Sequence, residues 1–187
     1  MILNSRNNLF SFSFPRNFIP KEVINLYKPY LNRMPGNLIT EPIDLINYSI
    51  QGVNLPSVSY DPVIVDGHLG RKRQYRAVTQ PQDNFSKEMT VKLQLLDGYI
   101  NYWIMLDTFN YYYDFQNTNK YLPDSFSLNI LDAEGLIIVT IKLGRVLFKD
   151  LGSLEMSFSN NAAEFTTFDT TFIYNEFITQ IELNGAN

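Results

Sequence analysis

The stretch NFSKEMTVKLQLLDGYINYWIMLDTFNYYYDF, Asn84 to Phe115, decides the fold class. In its first half Met89, Val91, Leu93 and Leu95 share one face and Glu88, Thr90, Lys92 and Gln94 the other, the period-2 pattern of a half-buried strand. In its second half Tyr99, Tyr102, Leu106, Phe109 and Tyr113 recur at spacings of three and four, with Trp103 beside them, so residues 98–115 form the main helix with that row as one side. A strand feeding a helix and then further strands predicts a mainly β chain, sandwich or barrel-like, with about eight strands.

Working outward, Phe10, Phe12 and Phe14 alternate with Ser11 and Ser13, a short strand with one aromatic face. Residues 15–42 read as an inserted loop around one short helix, KEVINLYKPYL, which Pro29 interrupts before a third turn. Ile43 to Val53 alternates imperfectly and is expected to be a strand ending at Leu55-Pro56. Residues 57–84 hold Pro62, Gly67, Gly70 and Pro81 with little apolar periodicity, so a projecting loop or irregular hairpin is expected. Ser125 to Leu131 and Leu136 to Leu143 flank the four-residue turn Asp132-Ala133-Glu134-Gly135, a hairpin. Gly144 to Lys149, Ser153 to Ser159 and a long strand from Phe165 to Phe177 complete the set, within a single domain spanning residues 1–187.

Composition narrows the function. The chain has 187 residues, 45% of them hydrophobic, with 14 phenylalanines and 12 tyrosines against one tryptophan, a balance suited to strands and interfaces. Without cysteine it has no disulfide, no thiolate nucleophile and no Cys-type zinc site. The start, Met1-Ile-Leu-Asn4, lacks a secretion signal's pattern, and Tyr99 to Phe115 is broken by Asn101, Asp107 and Asn110, so no membrane insertion is expected. The net charge of −4 opposes general nucleic-acid binding, which depends on neutralising phosphates.

No residue constellation specifies catalysis, a metal or a cofactor. His68, the sole histidine, lies between glycines in VDGHLG, where a solvent-facing loop residue is the simplest reading. Asp61 with Asp66, and Asp132 with Glu134, could do acid-base work or bind calcium, yet turns select aspartate for backbone reasons alone. Tyr111, Tyr112 and Tyr113 could stack a sugar, or divide between core and a subunit interface. The sharpest charge feature is Arg71, Lys72, Arg73 and Arg76, which suits contact with an acidic protein neighbour or a solvated loop better than a nucleic acid, since only Tyr75 is near for stacking.

Three segments in order, SIQGVNLPSVSYDP (Ser49 to Pro62), Arg73 to Phe109 and Leu128 to Phe177, resemble the tail tube proteins of contractile-tailed bacteriophages, which are related to type VI secretion tube subunits. Leu55 and Pro56 match a strand-ending Leu-Pro, and Phe85, Thr90 and Val91 a Phe-x-x-x-x-Thr-Val strand after a basic loop. Trp103 fits the helix's aromatic anchor, and Ser159 to Glu164 followed by Phe165 to Phe177 fits a closing segment of small residues and an aromatic strand. The resemblance covers a little over half the chain and rests on order and spacing. Residues 15–42 are longer than a plain tube subunit needs, and the closing strand has no tryptophan.

The resemblance implies a non-enzymatic virion protein, assembled in the host cytoplasm into stacked, hexameric rings whose lumen conducts DNA without binding it. It also implies sheath and baseplate proteins as partners, and Arg71, Lys72, Arg73 and Arg76 as contacts between subunits or rings. Lys87, Glu88, Lys92, Thr167, Asp169 and Thr171 are the lumen-facing candidates, because their strands carry one polar and one apolar face. A baseplate-proximal tube initiator or a tail terminator shares these expectations, while a carbohydrate-binding or hydrolytic β-sandwich using Asp61, Asp66 and the tyrosines is the competing class.

Overall fold

The alternation of Glu88 to Gln94 becomes strand β5, where Met89, Val91 and Leu93 are buried and Glu88 and Lys92 exposed. The computed structural model describes residues 9–33, 39–54, 63–66, 72–75, 87–114, 125–154 and 166–181. Among the described residues ten strands and three α-helices follow in chain order: β1 (Phe10–Ser13), α1 (Lys21–Leu31), α2 (Pro42–Tyr48), β2 (Ile50–Asn54), β3 (Val63–Asp66), β4 (Lys72–Tyr75), β5 (Glu88–Gln94), α3 (Ile100–Tyr113), β6 (Ser125–Leu131), β7 (Ile137–Gly144), β8 (Leu147–Leu151), β9 (Thr167–Ile173) and β10 (Glu176–Ile181). Two antiparallel four-stranded sheets, ordered β1-β6-β7-β10 and β2-β5-β9-β8, account for eight of the strands, and β3 pairs with β4 alone.

A phenylalanine cluster joins the two sheets. Phe12 and Phe126 come from the first sheet and Phe148 and Phe172 from the second, while Phe14 and Phe18 enter from the segment after β1. Phe14 stacks on Phe18 at 4.6 Å, and Phe172 meets Phe148 at 4.7 Å, Phe126 at 5.1 Å and Phe14 at 5.6 Å. Offset and edge-to-face packing of this kind adds about 0.5–1.5 kcal/mol per pair beyond burial. Asn47 at the end of α2 fixes the Phe14 backbone, accepting its N–H at 2.7 Å and donating to its carbonyl at 3.3 Å.

The passage from β5 into α3 is set by local geometry. Gly98 (φ 67) and Tyr99 (φ 56) both take the left-handed conformation, reversing the chain. The buried Asn101 closes the joint, donating to the Gln94 carbonyl at 2.6 Å and accepting the Leu96 N–H at 3.1 Å. The β6–β7 hairpin turns where expected, with Gly135 at φ 85 and Asp132 Oδ1 accepting the N–H groups of Glu134 and Leu136 at 2.8 Å each.

Several expectations are corrected. Pro29 does not stop α1: its missing N–H leaves only the Asn25 carbonyl unserved, the Asn32 N–H reaches the Lys28 carbonyl at 3.1 Å, and the buried Leu31 anchors the last turn. Residues 43–48 are helical rather than extended, because Pro42 opens a helix and Ile43, Leu45 and Ile46 all reach the core from it. The main helix fully buries Ile100, Asn101, Ile104, Met105 and Thr108, Tyr102 and Phe109 of the aromatic row pack half-buried against Phe168 and Phe148, and Trp103, the expected aromatic anchor, is exposed. The long closing strand is two: β9 pairs with β5, the chain crosses at Tyr174 and Asn175, and β10 pairs with β7 in the other sheet. The expected strand from Gly144 begins at Leu147 instead, after a turn at Arg145 (φ 52). Of the strand expected from Ser153 to Ser159, residues 155–159 lie outside the described residues.

Candidate assembly surface

The outward face of the β2-β5-β9-β8 sheet is built by strand alternation. Wherever Met89, Val91 and Leu93 or Phe168, Thr170 and Phe172 turn into the core, their neighbours turn out. Register places Lys92 opposite Asp169, Thr90 opposite Thr171, Gln94 opposite Thr167 and Glu88 opposite Ile173. The lumen candidates on β5 and β9, namely Glu88, Lys92, Thr167, Asp169 and Thr171, therefore share one face. Lys87 stands exposed just before β5, its carbonyl accepting the Tyr174 N–H at 3.0 Å.

Further residues complete this face. Gln51 on β2 donates to Gln94 Oε1 at 2.9 Å, and the hydroxyls of Thr90 and Thr171 lie 3.4 Å apart. Lys149 on β8 forms an ion pair with Glu88, reaching past β9. The irregularity between Phe148 and Asp150 sets Asp150 opposite Thr171. Lys87, Lys92 and Lys149 thus stand against Glu88, Asp150 and Asp169, so the face is charge-compensated although the chain carries −4. Sequence reasoning missed Gln51, Lys149 and Asp150; the register irregularity that turns both Lys149 and Asp150 outward leaves no periodic trace.

The outermost strands of this sheet, β2 and β8, have no further strand paired to them among the described residues. Such edges are templates for another strand. Leu147 on β8 is exposed beside Ile173 on the same outward row. At the end of β8, Gly152 lies close against β9: its N–H reaches the Asp169 carbonyl at 2.7 Å, and a Cβ there would sit 2.9 Å from that oxygen.

The basic cluster is only partly placed. Lys72 and Arg73 belong to β4, paired with Asp66 and Val65 of β3, so a short hairpin stands where a loop was one expectation. Arg71 and Arg76 lie outside the described residues, as do His68 and Asp61. Among the described residues no group of three or more His, Asp or Glu side chains could hold a metal ion. No helix of the described residues is long and apolar enough to cross a membrane.

The remaining chemical candidates have structural partners. Asp132 is committed to its turn. Tyr112 donates to the Phe18 carbonyl at 2.9 Å, Tyr113 donates to the Phe148 carbonyl, and the rings of Tyr111 and Tyr112 meet at 87°, which is not a flat stacking platform. Burial pushes the phenol of Tyr112 up to about 12, with the neighbouring Tyr111 adding to the shift. Burial also raises Tyr27, reinforced by its 2.5 Å hydrogen bond to Asp107 Oδ2 and by that carboxylate's charge. These phenols are clamps holding α3 against α1 and the sandwich.

No family model matches the chain, and no curated protein matches it. Among solved structures, a chain of the anti-feeding prophage baseplate, seen by cryo-EM with 6-fold symmetrisation, superposes with a TM-score of 0.51 at 10% identity, over 96% of this chain and 97% of that one. A chain of the sheath-tube complex of an extracellular contractile injection system gives 0.46 at 15% identity, covering 73% and 80%, and the crystal structure of an Hcp protein gives 0.39 at 10%, covering 92% and 97%. At these identities what is shared is the fold. The tube-protein-like fold that the sequence resemblance implies is present, matched end to end by the baseplate chain.

Proposed function

We propose that the chain is a structural subunit of a contractile tail or injection apparatus, forming rings in which the outward face of the β2-β5-β9-β8 sheet lines a channel. The observation that carries this reading is that face itself: a four-stranded sheet, largely polar and charge-compensated on one side, apolar on the other, and open at both edges among the described residues. A monomer gains nothing from two open edges and risks aggregation; a closed ring of copies pairs β2 of one subunit with β8 of the next and removes both edges of this sheet. The fold shared with a chain of a 6-fold symmetrised baseplate supports six copies per ring.

In this arrangement Lys92 with Asp169 and Glu88 with Lys149 neutralise each other across the strands, so the channel wall offers no cationic track for phosphates. Viral DNA would pass without being held, and no step requires catalysis or a cofactor. The β3–β4 hairpin, with Arg71, Lys72, Arg73 and Arg76, contacts the acidic surface of an adjoining subunit or ring. Sheath and baseplate proteins are the outer partners, and the virion tail is the place of action. A baseplate-proximal ring of the same fold is the second reading, favoured by the end-to-end match to a baseplate chain.

Electron microscopy of the purified chain, alone and with baseplate or tube seeds, tests the proposal. Rings with a central channel, alone or stacked, are the expected result. Monomers at every concentration, with no growth from seeds, would refute it.

A further inference from the structure

Two passages between the sheets run through one corner of the sandwich. The chain leaving β7 reaches β8 through Arg145 and Val146, and the chain leaving β9 reaches β10 through Tyr174 and Asn175. The passages are tied to each other: the Asn175 N–H donates to the Gly144 carbonyl at 3.1 Å, Arg145 Nε lies 3.0 Å from Glu176 Oε1, and Val146 and Tyr174 are buried. The strand that begins here, β8, is an edge strand paired with β9 alone among the described residues, and its first residue, Leu147, is 53% exposed. Phe148 anchors the strand in the core while Leu147 adds little, so the turn at Arg145 governs how β8 starts.

The residue order in this turn is the reverse of what backbone chemistry alone selects. Arg145 takes φ 52, the left-handed region where an L side chain crowds the backbone and glycine is the default, while the glycine stands one place earlier, at Gly144, outside that region. Glu176 accounts for both choices. A Cβ on residue 144 would lie 2.7 Å from Glu176 Oε2 and 3.0 Å from Glu176 Cβ, so a side chain there would push Glu176 aside; with glycine the carboxylate lies across the crossover and reaches Arg145. The paired side chains are 75% and 44% exposed, so their attraction is modest and falls with salt. An exposed ion pair and a left-handed arginine are contributions of similar size and opposite sign.

We propose that Arg145 and Glu176 form a salt-sensitive latch on the β8 edge. Closed, the ion pair holds Arg145 in its left-handed turn and keeps Leu147 on its ladder with Ile173. Opened by screening or by loss of the carboxylate, the turn relaxes and the first residues of β8 leave β9. The consequence for assembly rests on the reading that β8 pairs with β2 of the next copy: an open latch withdraws the strand on which closure depends. The latch itself belongs to the single chain and is measurable without any ring.

Hydrogen exchange of the full chain, read by mass spectrometry over β8 with β6 as the internal reference, tests the latch. Glu176→Gln should speed exchange in β8 at least about fivefold and leave β6 unchanged, because local opening sets the rate. Sodium chloride at about 1 M, which confines charge interactions to ~3 Å, should do the same to the parent chain. Arg145→Gly removes the crowding together with the cation, so its β8 should exchange slowly in either salt, and adding Glu176→Gln to it should change nothing further. A parent chain indifferent to salt and to Glu176→Gln, or a double variant as fast in β8 as Glu176→Gln alone, would overturn the latch. Oxidative cross-linking between subunits carrying Asn54→Cys and Leu147→Cys separately keeps the two readings apart. A yield that falls with Glu176→Gln and recovers with Arg145→Gly supports the latch's part in closure, and a yield unmoved by Glu176→Gln refutes that part. No cross-link even in the otherwise unaltered chain at low salt would refute the β2–β8 seam, and exchange alone would then decide the latch.

Discussion

Replacing Phe172 by alanine should be among the most destabilising single changes in this chain. The ring is fully buried and meets four others, Phe148 at 4.7 Å, Phe126 at 5.1 Å, Phe14 at 5.6 Å and Phe18 at 6.0 Å, so it bridges both sheets and the segment after β1. Emptying such a site loses the transfer energy of the ring and leaves a cavity, together about 3–5 kcal/mol for Phe→Ala. Collapse is hindered because the neighbours are themselves planar rings held by two different sheets, which places the expected loss near the top of that range. With a urea slope of roughly 2 kcal/mol per molar, a loss of about 4–5 kcal/mol moves the unfolding midpoint down by ~2 M. Equilibrium urea unfolding followed by circular dichroism measures this. A midpoint drop under about 0.5 M with unchanged slope would refute the view that this cluster joins the sheets. Trp103→Ala, removing an exposed ring of similar bulk, should shift the midpoint far less.

The phenol clamps give an alkaline limit. Tyr112 and Tyr174 are each raised to about 12 and Tyr27 is raised as well, so the folded state holds protons that the unfolded chain releases near the ordinary value of 10. Their contribution is therefore complete below pH 10 and lost as pH rises through about 12; urea midpoints flat from neutral pH to pH 9 and then falling steeply fit this, and midpoints unchanged into strong alkali would contradict it. If the basic cluster acts only in contacts between subunits or rings, replacing Arg71, Lys72 and Arg73 together by glutamate should leave the unfolding free energy within about 0.5 kcal/mol of the parent while stalling growth beyond single rings. Normal polymerisation of that variant would show the hairpin to be a solvated surface.

Periodicity revealed the elements whose pattern had one interpretation. Residues 88–94 and 125–144 alternate cleanly, and Asp132 to Gly135 carries its turn chemistry in its residues, so these strands and their hairpin were legible. Ile43, Leu45, Ile46 and Ile50 satisfy alternation and helical spacing about equally, and the core contact of Ile43, Leu45 and Ile46 decided for helix. Residues 100–113 are apolar nearly all round, so the aromatic row at 99, 102, 106, 109 and 113 was no better marked than the row that is buried, and only packing could choose. Phe165 to Phe177 alternates across a change of ladder partner, and alternation carries no record of which strand lies alongside. The polar face on β5 and β9 was readable for the same reason those strands were. Its completion by Gln51, Lys149 and Asp150 depends on neighbours distant in sequence.

The most direct test of the ring assignment is to place one cysteine on β2 and one on β8 of this cysteine-free chain, as Asn54→Cys and Leu147→Cys in separate proteins, mix them under oxidising conditions and analyse the products. Edge-to-edge closure is expected to give disulfide-linked β2–β8 pairs between different subunits, and the double variant a ladder ending at the full ring, seen as a closed ring by electron microscopy. Monomer under all conditions, or cross-links only between like edges, would contradict a ring closed through this sheet.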